Sequence, residues 1–186
     1  MSRAFATVAF TPAVKALQER AGSRAAYARM ETSLETDPGL GTREAEFLAR
    51  ADSFYLATVS ETGWPYVQHR GGPPGFLKVI SPSQLGFADF RGNRQYVSAG
   101  NASRNNRASM IVMDYVERRR LKLMGTLRFI PVDEADGALA RRLEPVDYRA
   151  RVERLALIDV VAFDWNCPQH ITPRFTLEQI RAASQR

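Results

Sequence analysis

Hydrophobic and polar residues alternate along several short segments in the middle of the chain. Such segments, rich in aromatic and β-branched residues and bounded by turn residues, are typical of β-strands. The alternation predicts strands over Phe54–Ser60, Pro65–Arg70, Phe76–Ile80, Leu85–Phe90, Ala108–Tyr115, Arg119–Ile130 and Ile158–Trp165. Because short turns join most of them, we expect an antiparallel sheet of about six strands, closed into a barrel.

Helical patterns are found mainly towards the two ends of the chain. The sequence predicts helices over Thr11–Ser33, Thr42–Arg50, Val132–Leu143, part of Asp147–Leu155 and Phe175–Arg186. Thr42 is expected to cap its helix, and Thr176 and Gln179 have the spacing of a capping box. We therefore expect one domain over residues 1–186, in which helical segments 11–50 and 175–186 flank the barrel.

Length and composition narrow the class of protein. The 186 residues are 45% hydrophobic and 25% charged, which is ordinary for a globular domain. No apolar run approaches the roughly 18 residues of a membrane-spanning helix. The N-terminal segment lacks the pattern of a secretory signal, so a cytoplasmic location is expected. The single cysteine, Cys167, excludes an internal disulfide.

Positive charge is concentrated in one part of the chain. The formal net charge is +6, and residues 91–128 hold nine basic residues against two acidic ones, a local charge of +7. Basic and aromatic residues alternate there, which leaves nucleic-acid binding open as one function. The stretch carries no standard nucleic-acid-binding module, and Arg118–Arg120 also suit a solvated hairpin tip, so nucleic acid is not the favoured partner.

Three polar side chains end one predicted strand. Gln68 and Arg70 should share a face of the strand, and His69 should point to the other face. Gly71 and Gly72 follow, where the missing side chains would let a flat ligand approach the backbone. A plain rigid loop between two strands would have the same sequence, and His69 could equally face the core.

A second polar cluster follows the strand Leu85–Phe90. Asp89, Asn93, Arg94 and Gln95 offer a guanidinium fork and adaptable amides, which are suited to a phosphate and a polyol. Together the two clusters fit a ligand with a flat polar ring and a phosphate tail. Flavin mononucleotide (FMN) has that shape.

Three segments carry a resemblance to a known family. FYLATVSETGWPYVQHRGGPPGFLKVI, LGFADFRGNRQYVSAGN and MIVMDYVERRRLKLMGTLRF resemble the pyridoxamine 5′-phosphate oxidase-like flavoproteins, nearer to their FMN-binding branch than to the oxidase itself. The resemblance implies a six-stranded split β-barrel and a homodimer with FMN at the subunit interface. It implies that the cofactor is contacted by Gln68, His69, Arg70, Gly71, Gly72, Phe87, Ala88, Asp89, Asn93, Arg94, Gln95 and, near the partner's flavin, Arg120.

Departures from the oxidase limit what the resemblance implies. Gln68 and Pro73 stand where the oxidase has Arg and Lys, so oxidation of vitamin B6 is not expected. The chain then resembles an FMN-dependent oxidoreductase of unidentified substrate, with a non-catalytic flavin carrier or sensor as the alternative. Related split barrels bind heme or a deazaflavin, which leaves those cofactors open. No catalytic residue is identified, and Cys167 with His170 is read as a turn with a buried thiol in preference to half of a metal site.

Overall fold

The computed structural model describes residues 2–32, 39–165 and 168–184. The strands are β1 (Ser53–Val59), β2 (Pro65–Gly71), β3 (Lys78–Ser81), β4 (Gln84–Phe90), β5 (Arg107–Asp114), β6 (Arg119–Pro131) and β7 (Val152–Trp165). The helices are α1 (Arg3–Ala9), α2 (Pro12–Arg20), α3 (Arg24–Glu31), α4 (Thr42–Ala49), α5 (Val97–Arg104), α6 (Gly137–Leu143) and α7 (Leu177–Ser184). In these ranges no helix has the length and hydrophobicity required to cross a bilayer.

The seven strands form one antiparallel sheet in the order β2-β1-β5-β6-β7-β4-β3. Alternate residues of the strands face a common core, where Leu56, Val112 and Leu121 have no exposed surface. The predicted antiparallel sheet with flanking helices is confirmed. Each of the seven predicted strand segments contains a strand, one more than the expected total of about six, and the four-residue strand β3 pairs with β4 at one edge.

Side chains bring the two ends of this sheet together. Phe54 on β1 packs edge-on against Phe87 on β4, with ring centroids 5.2 Å apart. Phe76, from the loop between β2 and β3, stacks on Phe54 at 5.7 Å. At the rim, Arg70 of β2 reaches Asp89 of β4. The sheet therefore curls into a barrel whose seam, between β2 and β4, is closed by side-chain contacts, as in a split barrel.

Helix α5 was not predicted, and its sequence explains why. VSAGNASR contains Val, two Ser, Gly and Asn, all of which are weaker helix formers than Ala. Hydrogen bonds to the sheet hold it: Asn101 Nδ2 donates to Thr58 Oγ1 at 3.0 Å, and Ser98 Oγ donates to Gln68 Oε1 at 3.0 Å. Tertiary contacts thus decide this element, and they place its first turn beside β2.

The N-terminal helices depart from the prediction in detail. The helix expected over Thr11–Ser33 is two helices, α2 and α3, separated at Gly22, whose φ of +70° does not continue a helix. Ser33 lies outside the described residues, and α1 precedes both helices. Gly41, and not Thr42, is the N-cap of α4, and Glu44 Oε2 accepts the N–H of Gly41 at 3.1 Å.

The predicted helix within Asp147–Leu155 is wrong because β7 begins at Val152 and not at Ile158. Leu155 pairs with Ala88 of β4 on one side and with Ile130 of β6 on the other. Pairing on both edges supplies backbone hydrogen bonds that a helix here would lose. This extension of β7 places its first residues next to the end of β4.

The capping box before α7 is confirmed. Thr176 N donates to Gln179 Oε1 at 2.8 Å, and Gln179 N donates to Thr176 Oγ1 at 3.2 Å. Residues 185 and 186, the end of the predicted helix, lie outside the described residues.

Candidate functional site

Strand β2 divides the first polar cluster between two faces, as predicted. Gln68 and Arg70 are half-buried on the inner side, with Tyr66 before them, while His69 is exposed on the outer side. The His69 ring contacts only the edge of Tyr55 among aromatic rings, with centroids 5.6 Å apart. The core-facing interpretation of His69 is therefore wrong.

Asp89 is the electrostatic centre of the inner side. Its side chain is 1% exposed, and its Oδ1 accepts from Arg70 Nη1 at 2.5 Å. Its Oδ2 accepts from Arg154 Nε at 3.0 Å and from Arg154 Nη2 at 2.6 Å. A buried carboxylate needs such partners, because an unpaired charge is costly away from water. Glu153 Oε2 also lies 3.9 Å from Arg154 Nη2. Two carboxylates thus face two guanidinium groups on this wall, and Arg94 adds one further positive charge to the lining.

The turn after β4 completes one wall. Arg94 and Tyr96 both have positive φ, at 59° and 56°, and Asn93 Oδ1 accepts the N–H of Gln95 at 3.2 Å. The Tyr96 hydroxyl donates to Glu153 Oε1 at 2.7 Å and accepts from Arg94 Nε at 3.3 Å. The hydrogen bond between Arg94 and the Tyr96 hydroxyl raises the pKa of the Arg94 guanidinium.

Helix α5 begins directly after this turn. Tyr96 occupies the N-cap position in the left-handed conformation, and no side chain caps the helix. The first N–H groups of a helix have no partner within it, and they carry the positive end of the helix dipole. Arg154 lies under the Tyr96 ring at 4.7 Å from its centroid, so the turn, the helix start and β7 meet at one place.

These elements enclose a cavity of about 220 Å³, which we call the α5 cavity. Six residues predicted from the sequence line it: Gln68, Arg70, Asp89, Asn93, Arg94 and Gln95. Sequence reasoning missed nine further lining residues, and those with a polar side chain are Tyr66, Tyr96, Ser98, Glu153 and Arg154. Arg70 Nε is buried there without a hydrogen-bond partner. The cavity therefore presents donors and positive charge, which suit a phosphate.

The family model for pyridoxamine 5′-phosphate oxidase matches residues 40–163. The chain belongs to this family. HupZ of Group A Streptococcus superposes with a TM-score of 0.54 at 12% identity, over 73% of this chain and 98% of that protein. A pyridoxamine 5′-phosphate oxidase candidate from Lactobacillus delbrueckii superposes with a TM-score of 0.51 at 17% identity, over 70% and 97%. Such likenesses show a shared fold, and no curated protein sequence matches the chain.

Several residues that the family resemblance assigned to the cofactor lie outside the α5 cavity. Phe87 and Ala88 are buried in the sheet, 1% and 2% exposed. The side-chain space at Gly72 is filled by Phe76, whose Cγ would lie 2.6 Å from an added Cβ, and Gly72 N donates to Asp52 O at 2.9 Å. The lack of a side chain at Gly72 is therefore explained by packing, whereas an added Cβ at Gly71 would meet the His69 ring.

Arg120 lies far from the α5 cavity within one chain. It stands near the start of β6, whereas Pro131 at the other end of β6 pairs with Arg154. The strand between Arg120 and Pro131 spans roughly 35 Å if fully extended. Arg120 Nε is buried and has no hydrogen-bond partner among the described residues. One chain of this family member therefore cannot present Arg120 and Arg154 to the same small ligand.

The basic stretch over residues 91–128 is dispersed in the fold. Arg104 lies 3.5 Å from Glu61, and Lys122 lies 3.6 Å from Asp164. Arg118, with φ of 51°, sits in the β5–β6 turn, the predicted hairpin tip. The basic residues of the stretch therefore belong to several different elements of the fold, and two of them are paired with carboxylates.

A second and larger cavity, of about 890 Å³, lies beside the β5–β6 turn. We call it the hairpin cavity. Its walls come from the end of α4 and the residues after it, the β5–β6 hairpin, and the segment 174–179 before and within α7. Cys167 lies outside the described residues, while His170 occupies a turn with φ of 64°.

Proposed function

We propose that this family member binds FMN, with the FMN phosphate in the α5 cavity. The observation that carries the proposal is the convergence of Arg70, Arg94 and Arg154 with the uncapped start of α5 around one cavity. Asp89 and Glu153 together balance two of these three cations, and Arg70 Nε has no acceptor in the described chain. A phosphate would supply the missing acceptor and charge.

The proposed site is completed by a second copy of the chain. The α5 cavity, at about 220 Å³, is smaller than the about 300–1,000 Å³ of pockets that enclose a whole small molecule. It would hold the phosphate end, and the flat ring would lie outside it. The buried, unpartnered Nε of Arg120 supports a homodimer in which the far end of β6 approaches the partner's ring.

We also propose that the protein is an oxidoreductase. Bound FMN supplies hydride or electron transfer, and the chain supplies binding and orientation. Gln68 and Arg70 lie on the inner side of β2, between the cavity and the barrel seam. Their amide and guanidinium groups would orient polar ring atoms by hydrogen bonds. No histidine lines the α5 cavity among the described residues, so binding and electrostatic orientation are the roles supported for its side chains.

The absorption spectrum of the purified protein tests cofactor binding. After incubation with FMN and gel filtration, we expect a flavin band and, on denaturation, release of FMN at about one per chain. Gel filtration against size standards tests the dimer on the same sample. If the purified protein instead shows the spectrum of heme or of a deazaflavin, that compound and not FMN is its cofactor. A colourless protein that also fails to retain added FMN would overturn the proposal.

Anaerobic reduction separates enzyme from carrier. Bleaching of the bound flavin by NADH or NADPH, followed by reoxidation with a quinone or dye, is the result expected for an oxidoreductase. A protein that holds FMN but stays oxidised with both donors would favour the carrier or sensor instead.

The remaining alternative is nucleic-acid binding. A flavin-free protein that binds nucleic acid with a steep salt dependence would favour it.

A further inference from the structure

The hairpin cavity has the dimensions of a small-molecule site. Its volume of about 890 Å³ falls within the about 300–1,000 Å³ of ligand pockets, and it shares no lining residue with the α5 cavity. Phe47, Tyr115 and Phe175 contribute aromatic surface to its walls. The walls therefore offer flat apolar contacts to a ligand that the proposed FMN phosphate site does not use.

Two arginines that line this cavity form cation–π contacts with aromatic rings. The half-buried Arg119 guanidinium lies 4.7 Å from the Trp165 ring centroid and 5.5 Å from that of Phe47. The Arg174 guanidinium lies 4.7 Å from the Tyr115 ring centroid. Stacking occupies the faces of a guanidinium and leaves its N–H edges free for a planar acceptor.

Those N–H edges have no partner in the chain. In the part of the chain that the structure describes, neither Arg119 nor Arg174 forms a side-chain hydrogen bond or ion pair, and nor does Arg50 in the same wall. Only Arg119 is half-buried, so its guanidinium is partly desolvated without an acceptor, which is unfavourable, whereas Arg174 and Arg50 are exposed to water. The arrangement thus lacks an acceptor, and a carboxylate matches the guanidinium fork.

The acidic residues of the cavity limit the charge of the ligand. Asp52 accepts from the Ser53 hydroxyl at 2.8 Å, and Asp114 accepts the N–H of Glu117 at 2.9 Å. With Glu117 these carboxylates balance the three arginines, so the cavity has no excess of positive charge. A polyanion gains little there, whereas a single carboxylate can use the free guanidinium edges.

We propose that the hairpin cavity binds a flat organic acid, an aromatic ring that carries one carboxylate. The ring packs among the aromatic side chains, and the carboxylate accepts hydrogen bonds from Arg119 and Arg174. This cavity shares no lining residue with the α5 cavity of the same chain. Because it lies beside the end of β6 that is proposed to approach the partner's ring, the site is tested both without and with FMN.

Two probes of the same shape test the site. Naphthalene-2-carboxylate and naphthalene-2-carboxamide differ in charge and not in ring size, and calorimetric titration measures their affinities. We expect the carboxylate to bind at least tenfold more tightly to the wild-type protein, with or without FMN. Arg174→Gln should remove most of that difference and leave the amide affinity unchanged. Arg181→Gln, an exposed arginine of α7 outside the cavity, is the matched control.

Three results would overturn the proposal. The first is equal affinity of the wild-type protein for both probes, and the second is unchanged carboxylate affinity in Arg174→Gln. The third is a carboxylate affinity that falls as rising protein concentration drives dimer formation, because a second copy would then cover the cavity. Arg119→Gln provides a second variant, and circular dichroism verifies that each variant is folded. Arg94→Ala should leave carboxylate binding unchanged, which separates this site from the proposed FMN site.

Discussion

Two carboxylates in this protein each lie between two cationic side chains, in very different surroundings. Asp89 lies between Arg70 and Arg154 inside the sheet, with its side chain 1% exposed. Glu31 lies between Lys15 and Arg24 where helices α2 and α3 meet, with its side chain 17% exposed. Both arrangements place one negative charge against two positive ones, so composition alone does not distinguish them.

The difference between them lies in access to water. Water screens the Glu31 cluster and can replace either cation, so it joins two helices weakly. Little water reaches Asp89, whose oxygens must keep their protein partners, and this fixes Arg70 and Arg154 on the wall of the α5 cavity. Burial thus turns the same kind of three-charge contact into a rigid wall whose guanidinium groups are held in place for a phosphate.

Removal of the buried negative charge should have the largest effect. Asp89→Asn removes the carboxylate that binds both guanidinium groups and leaves only the more distant Glu153 near Arg154, and breaking a buried ion pair costs about 3 kcal/mol or more. We expect the free energy of unfolding, measured by urea denaturation, to fall by about this amount. The matched control is Asp159→Asn, whose amide oxygen can still accept from Gln84 Nε2 and which breaks no ion pair in the described chain, so it should cost no more than about 1 kcal/mol. A loss under about 1 kcal/mol in Asp89→Asn would show that the wall is not held electrostatically.

The exposed cation of the same cavity should affect the ligand and not the fold. Arg94→Ala removes a donor for the proposed phosphate, and we expect FMN to bind roughly 10- to 100-fold more weakly, the scale of a lost charge-assisted hydrogen bond. Fluorescence titration of FMN measures the effect. Arg104→Ala, which removes a cation of α5 paired with Glu61, should leave FMN affinity unchanged. Unchanged affinity in Arg94→Ala would contradict the phosphate assignment.

The packing of Phe76 against Gly72, at the end of β2, can be tested by substitution of Gly72. An alanine Cβ there would lie 2.6 Å from Phe76 Cγ, so Gly72→Ala should cost about 1–3 kcal/mol through overpacking. Gly100→Ala is the control, since nothing lies within 4 Å of the added Cβ, and it should stabilise α5 by up to about 1 kcal/mol. Urea denaturation measures both. Unchanged stability with weakened FMN binding in Gly72→Ala would restore the interpretation that this glycine makes room for the ligand.

The half of the site that depends on short-range pattern was predictable from the sequence. Strand alternation placed Gln68 and Arg70 on one face and His69 on the other, because successive side chains of a strand must point to opposite sides. The polar run from Asn93 to Gln95 was also recognised, since turn residues after a strand are a local signal.

The other half depends on partners distant in the chain. Arg154 pairs with Asp89 across β4 and β7, a register that is visible only when β7 is known to begin at Val152. Helix α5 was missed because its stability comes from bonds such as that from Asn101 to Thr58 and not from its own propensity. Gly72 was read as space for a ligand because sequence cannot show that Phe76 returns to fill it.

Removal of the Glu31 carboxylate should have the smallest effect on stability, and that effect should depend on pH. Hydrogen bonds from Lys15 and Arg24 lower the pKa of Glu31, so the cluster stabilises the fold above the ordinary Glu value of about 4.3. That contribution is lost as the pH falls through the lowered pKa of the folded state. We therefore expect Glu31→Gln to lower Tm slightly at pH 7, with a deficit that shrinks as the pH falls below the ordinary Glu value and through the lowered pKa of the folded state. Glu46→Gln, an exposed residue of α4, is the control. A pH-independent deficit in Glu31→Gln would show that packing, and not charge, joins α2 to α3.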